Sequence, residues 1–142
     1  MSTQNQERVM HFVIPGEPVS KERPRFTSTG RTYTPAKTRD AEKRIAELFI
    51  RETDGTCFES FVELKIVLWL GTKRRKDADN MAKLIQDALN GLAFIDDNQV
   101  FELTVSKKYT TPVRARAEVT VRELEAVETE RHQDAEENQI LS

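Results

Sequence analysis

The ten residues from Phe61 to Leu70, FVELKIVLWL, constrain the fold of this chain more than any other stretch. β-Branched and aromatic side chains dominate them, which suits a pleated, mostly buried strand, and such a strand has to be packed against other elements. The rest of the sequence offers candidates. Val9 to Ile14 is a short apolar run closed by Pro15 and Gly16, a first strand. Thr34 followed by Pro35 predicts a helix start, with a capping hydroxyl and then proline at the first helical position. Ala41, Ile45, Leu48 and Phe49 keep helical spacing up to the stop at Asp54-Gly55. A second helical period runs from Asp79, with Met81, Leu84, Ile85, Ala88 and Leu89 on one face, and ends at Asn90-Gly91. Val100 to Tyr109 reads as a third strand. Val113 to Arg122 alternates strictly, with Val113, Ala115, Ala117, Val119 and Val121 on one face, as in a sheet with one wet face. The order strand, helix, strand, helix, strand, strand predicts one small α/β (α+β) domain over residues 1–122. It should hold a mixed sheet of about four strands and two main helices.

Composition narrows the class. At 142 residues, 37% hydrophobic and 32% charged, the chain has the balance of a single soluble domain. No apolar run approaches the roughly 20 residues that span a bilayer, and MSTQNQERVM lacks the layout of a secretory signal. A cytoplasmic protein with no membrane partner is expected. Cys57 is alone, so an internal disulfide is excluded, and His11 and His132 are too far apart in sequence to favour a His-rich zinc site. Residues 123–142 carry seven acids against Arg131, a net −6, so the total of −2 leaves the rest of the chain at +4. The mildly basic domain therefore ends in an acidic segment that reads as a disordered, solubilising tail, with competition against DNA as a weaker reading.

Between the central strand and the third strand lies KRRKDADNMAKLIQDALNGLAFIDDNQ. Four carboxylates, Asp77, Asp79, Asp96 and Asp97, flank one short amphipathic helix, with the basic run Lys73, Arg74, Arg75, Lys76 just upstream. Carboxylate oxygens hold Mg²⁺ or Mn²⁺, and lysine and arginine attract phosphate, so the pattern points to phosphodiester chemistry. A helix of about twelve residues is roughly 18 Å long. A compact turn-back is thus required if all four acids are to share one pocket. Two like charges 4 Å apart repel by about 4 kcal/mol at an effective dielectric of 20, a cost that a divalent cation removes. Lys83, four residues after Asp79, is placed to steady it or to neutralise phosphate.

Each piece also has an ordinary explanation. Asp79 alone is a helix cap, Asp96-Asp97-Asn98 a turn, Lys83 a solvated partner of Asp79 and Asp87, and the basic run a solvated loop. Their coincidence in one stretch is what favours a site. Elsewhere the ordinary explanation wins: His11 is structural or on the surface, Cys57 inert, and Trp69 core rather than a stacking platform.

At these residues the chain resembles the RusA family of Holliday-junction resolvases. The likeness is carried by Asp77-Ala78-Asp79-Asn80, Lys83, Asp87-Ala88-Leu89-Asn90-Gly91 and Asp96-Asp97-Asn98-Gln99, and by KERPRF and RTYTP upstream. It spans roughly Phe12 to Arg122. The resemblance implies a Mg²⁺-dependent homodimer, Mn²⁺ substituting, that binds four-way DNA junctions and nicks opposing strands symmetrically in recombination and repair. It further implies Asp77, Asp79 and Asp97 as essential metal-holding acids, with Lys83 as the motif lysine and Asp96 as a further ligand. Phosphate contacts are expected from Lys21, Arg23, Arg25 and Arg31 and from Lys73, Arg74, Arg75 and Lys76. Two rivals are a haloacid-dehalogenase-type phosphatase, poorly matched by Met81 and Ala82, and a non-catalytic DNA-binding protein, which would gain nothing from acids that repel DNA.

Overall fold

The computed structural model describes residues 8–22 and 25–130, and of Arg25 the backbone alone. Its strands are β1 (Val9–Pro15), β2 (Arg25–Phe26), β3 (Thr32–Tyr33), β4 (Val62–Leu70), β5 (Val100–Tyr109) and β6 (Arg116–Glu123), with helices α1 (Ala36–Glu52) and α2 (Ala78–Leu89). Four strands form a mixed sheet in the order β1-β6-β4-β5. Strand β4 runs antiparallel to β6 and parallel to β5, and β1 is antiparallel to β6. The expected mixed sheet with two main helices is therefore what the chain builds. No helix among the described residues is long and apolar enough to cross a membrane.

Both helices lie on one face of the sheet. There the inward row of β4 (Val62, Leu64, Ile66, Leu68, Leu70) joins Ile45, Leu48 and Phe49 of α1 and Met81, Leu84, Ile85 and Leu89 of α2 in one core. Phe12 of β1 meets Phe49 edge-on at 5.7 Å, tying α1 to the far side of the sheet. Leu64, Ile66 and Leu68 are wholly buried, so truncating any of them to alanine costs about 2–5 kcal/mol.

Several local expectations need correction. Thr34 does not cap α1. Pro35 takes the cap position without a side-chain bond, and its carbonyl accepts from Thr38 and Arg39. Asp77, not Asp79, caps α2, and the helix opens at Ala78. Gly91, at φ +84°, supplies the left-handed turn expected after α2. The alternating run begins late, because Pro112–Arg114 form a 3₁₀ turn that leaves Val113 95% exposed. Trp69 is not core. It lies half-buried on the open face, with the Lys108 ammonium 5.1 Å and the Arg116 guanidinium 4.9 Å from its ring and its indole N–H donating to Glu118. Of the acidic segment, Glu123 ends β6 and the buried Leu124 donates its N–H to Phe61, while residues 131–142 lie outside the described residues.

Candidate active site

The loop joining β4 to α2 is held by one carboxylate. Glu17 accepts the Gly71 N–H at 2.9 Å through one oxygen and meets the Lys76 ammonium at 3.3 Å through the other. Gly71 has no room for a side chain, because a Cβ there would lie 2.5 Å from Pro112 Cα. Lys76 also donates to the Pro18 carbonyl at 3.0 Å, so it is turned inward as a strut. Lys73, Arg74 and Arg75 remain exposed.

This loop delivers Asp77 to the start of α2. The Asp77 carboxylate accepts the Asp79 N–H at 3.0 Å, which leaves further lone pairs on both aspartates. Asp77 and Asp79 are both exposed. Lys83 turns away from them and pairs with Asp87 at 3.3 Å. Asp87 also pairs with Lys21, whose N–H donates to the Asn80 carbonyl at 3.4 Å. Glu22 donates its N–H to the hydroxyl of buried Thr38 at 3.2 Å. These contacts moor the basic segment to both helices. Burial pushes the nearby Glu42 carboxyl above its usual range, with Asp87 adding to the rise and Lys21 opposing it. Beyond the mooring, β2 and β3 form a small hairpin, where Arg31, Phe26 and Tyr33 are exposed. In the sequence, only their place near Arg31 marks these two exposed aromatics. Arg23 lies outside the described residues.

Asp96 and Asp97 sit elsewhere. Strands β4 and β5 are parallel, Val62 pairing with Val100 and Leu70 with Tyr109, and α2 crosses between them. A parallel strand–helix–strand unit must carry the chain from the end of one strand back to the beginning of the next. Asp77 and Asp79 therefore stand where β4 ends, and Asp96 and Asp97 stand where β4 begins, with about 18 Å of helix between them. The compact turn-back that one shared pocket requires does not occur within the chain. Among the described residues, no three His, Cys, Asp or Glu side chains form a group that could hold a metal.

The second acidic turn is organised by Gln99, a buried residue whose polar side chain carries no signal in the sequence beyond its place in the motif. Its side-chain oxygen accepts the Asp96 N–H at 2.9 Å, and its amide donates to the Phe58 and Ser60 carbonyls at 2.9 and 2.8 Å. Its own N–H donates to the Asp96 carbonyl at 3.0 Å. Asp97, half-buried, opens the short 3₁₀ turn of this rigid corner.

Near the first acidic pair, Arg75, Lys76, Asp77 and Lys107 border an open concavity of about 380 Å³. Hard carboxylate oxygens, exposed and next to arginine and lysine, suit a Mg²⁺-type cation, which commonly takes one or two protein carboxylates and completes its shell with water and substrate phosphate. A polyanion could dock there with its charge met from both sides.

Two comparisons bear on this arrangement. The family model described as endodeoxyribonuclease RusA matches residues 15–122. The chain is also similar to the uncharacterized protein YqaN of Bacillus subtilis (strain 168), at 30% identity over 139 residues, covering 81% of this chain and 96% of that protein.

Proposed function

The chain belongs to the RusA family of Holliday-junction-resolving endodeoxyribonucleases, and on that footing we propose that it is a Mg²⁺-dependent homodimer that cuts four-way DNA junctions. The observation that best supports the chemistry is the exposed Asp77–Asp79 pair at the end of a loop whose Lys73, Arg74 and Arg75 also face solvent. A divalent cation at these carboxylates supplies charge neutralisation of the phosphodiester and a more acidic water. The residues do the rest. Asp77 and Asp79 hold the cation, while Arg31, Lys73, Arg74 and Arg75 bind the DNA backbone electrostatically. Lys83, with half its side chain exposed, exchanges its Asp87 partner for phosphate.

Asp97 enters from a second copy. Strand β5 is an edge, with Phe101, Leu103 and Tyr109 about half exposed, and Phe61 packs on Phe101 with ring centroids 4.0 Å apart. A row of apolar side chains on an unpaired edge favours association with another copy. Two such edges related antiparallel by a two-fold axis bring the Asp97 end of one protomer to the Asp77–Asp79 end of the other. Each dimer then has two complete sites, matching the two-fold symmetry of a junction.

Mixing two inactive variants tests both parts. Asp79→Asn and Asp97→Asn, each alone unable to cut a labelled junction with Mg²⁺, should recover single-strand nicking when co-refolded, because the mixed dimer rebuilds one intact site. No recovery from a mixture proven to contain mixed dimers would refute the shared site. Wild-type protein that leaves the junction uncut would refute the nuclease.

A further inference from the structure

Strand β5 breaks its own pattern at one position. In register with the inward row of β4, Leu103 stands beside Leu64, Val105 beside Ile66, Lys107 beside Leu68 and Tyr109 beside Leu70. A lysine occupies a place where its same-face neighbours are apolar or aromatic, next to the wholly buried Leu68. Lys107 is exposed on this edge strand, so its stem can lie along the apolar row while its charged head stays at the solvent side of the loop. Lys107 extends toward the β4–α2 loop and donates to the Lys76 carbonyl at 2.8 Å, the peptide that precedes Asp77. An ammonium has three N–H donors, and this bond uses one. Among the described residues no carboxylate forms an ion pair with it. Lys107 thus reaches the concavity bordered by Arg75, Lys76 and Asp77 from a separate element of the sheet.

We propose that Lys107 is a catalytic residue of the nuclease reading given above, its ammonium binding a non-bridging oxygen of the scissile phosphodiester. Hydrolysis forms a bond from a water oxygen to phosphorus and breaks the bond from phosphorus to one ester oxygen. The water gives up a proton and the departing oxygen takes one, leaving a phosphate monoester and an alcohol. Charge on the non-bridging oxygens must be held throughout. Arg75 and Lys107 border the concavity together with Asp77, so the phosphate meets positive charge as well as the acid that carries the cation. Lys107 belongs to β5, whose backbone pairs with β4 without interruption from Glu102 to Tyr109, so it is fixed by the sheet rather than by the loop.

The test measures single-turnover junction cleavage at saturating protein and, separately, the salt dependence of junction binding without divalent cation. Lys107→Met keeps the stem and removes the charge; it should slow cleavage by about 10²–10³-fold, the usual effect of losing one donor aimed at developing charge. The slope of log affinity against log salt should fall by about 0.9, one phosphate contact. Lys107→Arg should retain most activity. In a Cys57→Ser background, Lys107→Cys should be inactive and should regain cleavage after aminoethylation with 2-bromoethylamine. Sedimentation and thermal unfolding verify that assembly and folding are unchanged. Lys107→Met cutting at the wild-type rate would overturn the proposal while leaving the nuclease reading intact. So would slowed cleavage with an unchanged salt slope and no aminoethyl rescue, which would make Lys107 a strut for the loop. Wild-type protein that binds but never cuts junctions would remove both readings.

Discussion

The two ends of β4 carry the same kind of residue in opposite mechanical settings. At the far end, Asp77 and Asp79 sit beyond a charged, exposed loop whose attachments are polar: Glu17 to Gly71 and Lys76, and Lys107 to the Lys76 carbonyl. At the near end, Asp96 and Asp97 ride on a turn bolted through buried Gln99 to the backbone of Phe58 and Ser60. The difference teaches that an acidic pair in sequence is not yet a site. One end is soft and electropositive, suited to receiving a flexible polyanion. The other is stiff, suited to presenting a carboxylate at a fixed position.

Asp79→Asn should abolish Mg²⁺-dependent junction cleavage and leave binding intact or slightly tighter, since a negative charge facing DNA is lost; full nicking by this variant would erase the functional contrast between the ends. The next largest effect falls on the rigid end. Gln99→Ala strands the buried Phe58 carbonyl and loses the bonds to the Ser60 carbonyl and the Asp96 N–H, and should cost about 2–3 kcal/mol in urea unfolding, whereas Glu17→Ala, whose pair with Lys76 is partly solvated, should cost about 1 kcal/mol or less. Equal losses would mean that both ends are equally braced. The Arg74→Ala, Arg75→Ala double variant should leave stability unchanged and flatten the salt slope of junction binding by about 1.8; an unaltered slope would make the soft loop a mere solvated surface.

The smallest effect is a pH dependence at the root of the soft end, where Trp69 precedes the last residue of β4. The Trp69 indole N–H holds the Glu118 carboxyl below its usual range, with Arg116 assisting and partial burial opposing. A depressed folded value contributes stability that is complete above the unfolded glutamate range, near ~4.3, and is lost as pH falls through the folded value. The stability advantage of wild type over Glu118→Gln should therefore shrink as acid is added below that range. A gap constant down to the acid transition would show that the carboxylate gains nothing from its partners.

The element types were legible because periodicity survives in the sequence: the inward rows of β4 and β6 and the apolar face of α2 fall where alternation and helical spacing place them. The sense of β5 was not legible. An apolar stretch such as Val100 to Tyr109 looks the same whichever way it pairs, and the parallel choice alone separates Asp77 from Asp97. Charge alone marks Lys21 and Lys76 as phosphate contacts, yet each has a carboxylate partner, Asp87 and Glu17, distant in sequence. The roles of Gln99 and Lys107 are hidden in the sequence for a related reason. A buried glutamine in a turn and a lysine in a strand acquire meaning only from backbone carbonyls that tertiary structure brings to them.

The parallel crossover has a consequence for dosage. With its acids divided between opposite ends, an isolated protomer is inert on the proposed assembly. Dimers form in proportion to the square of protomer concentration while the protein is scarce. Cutting capacity would then lag behind synthesis at first and rise steeply later.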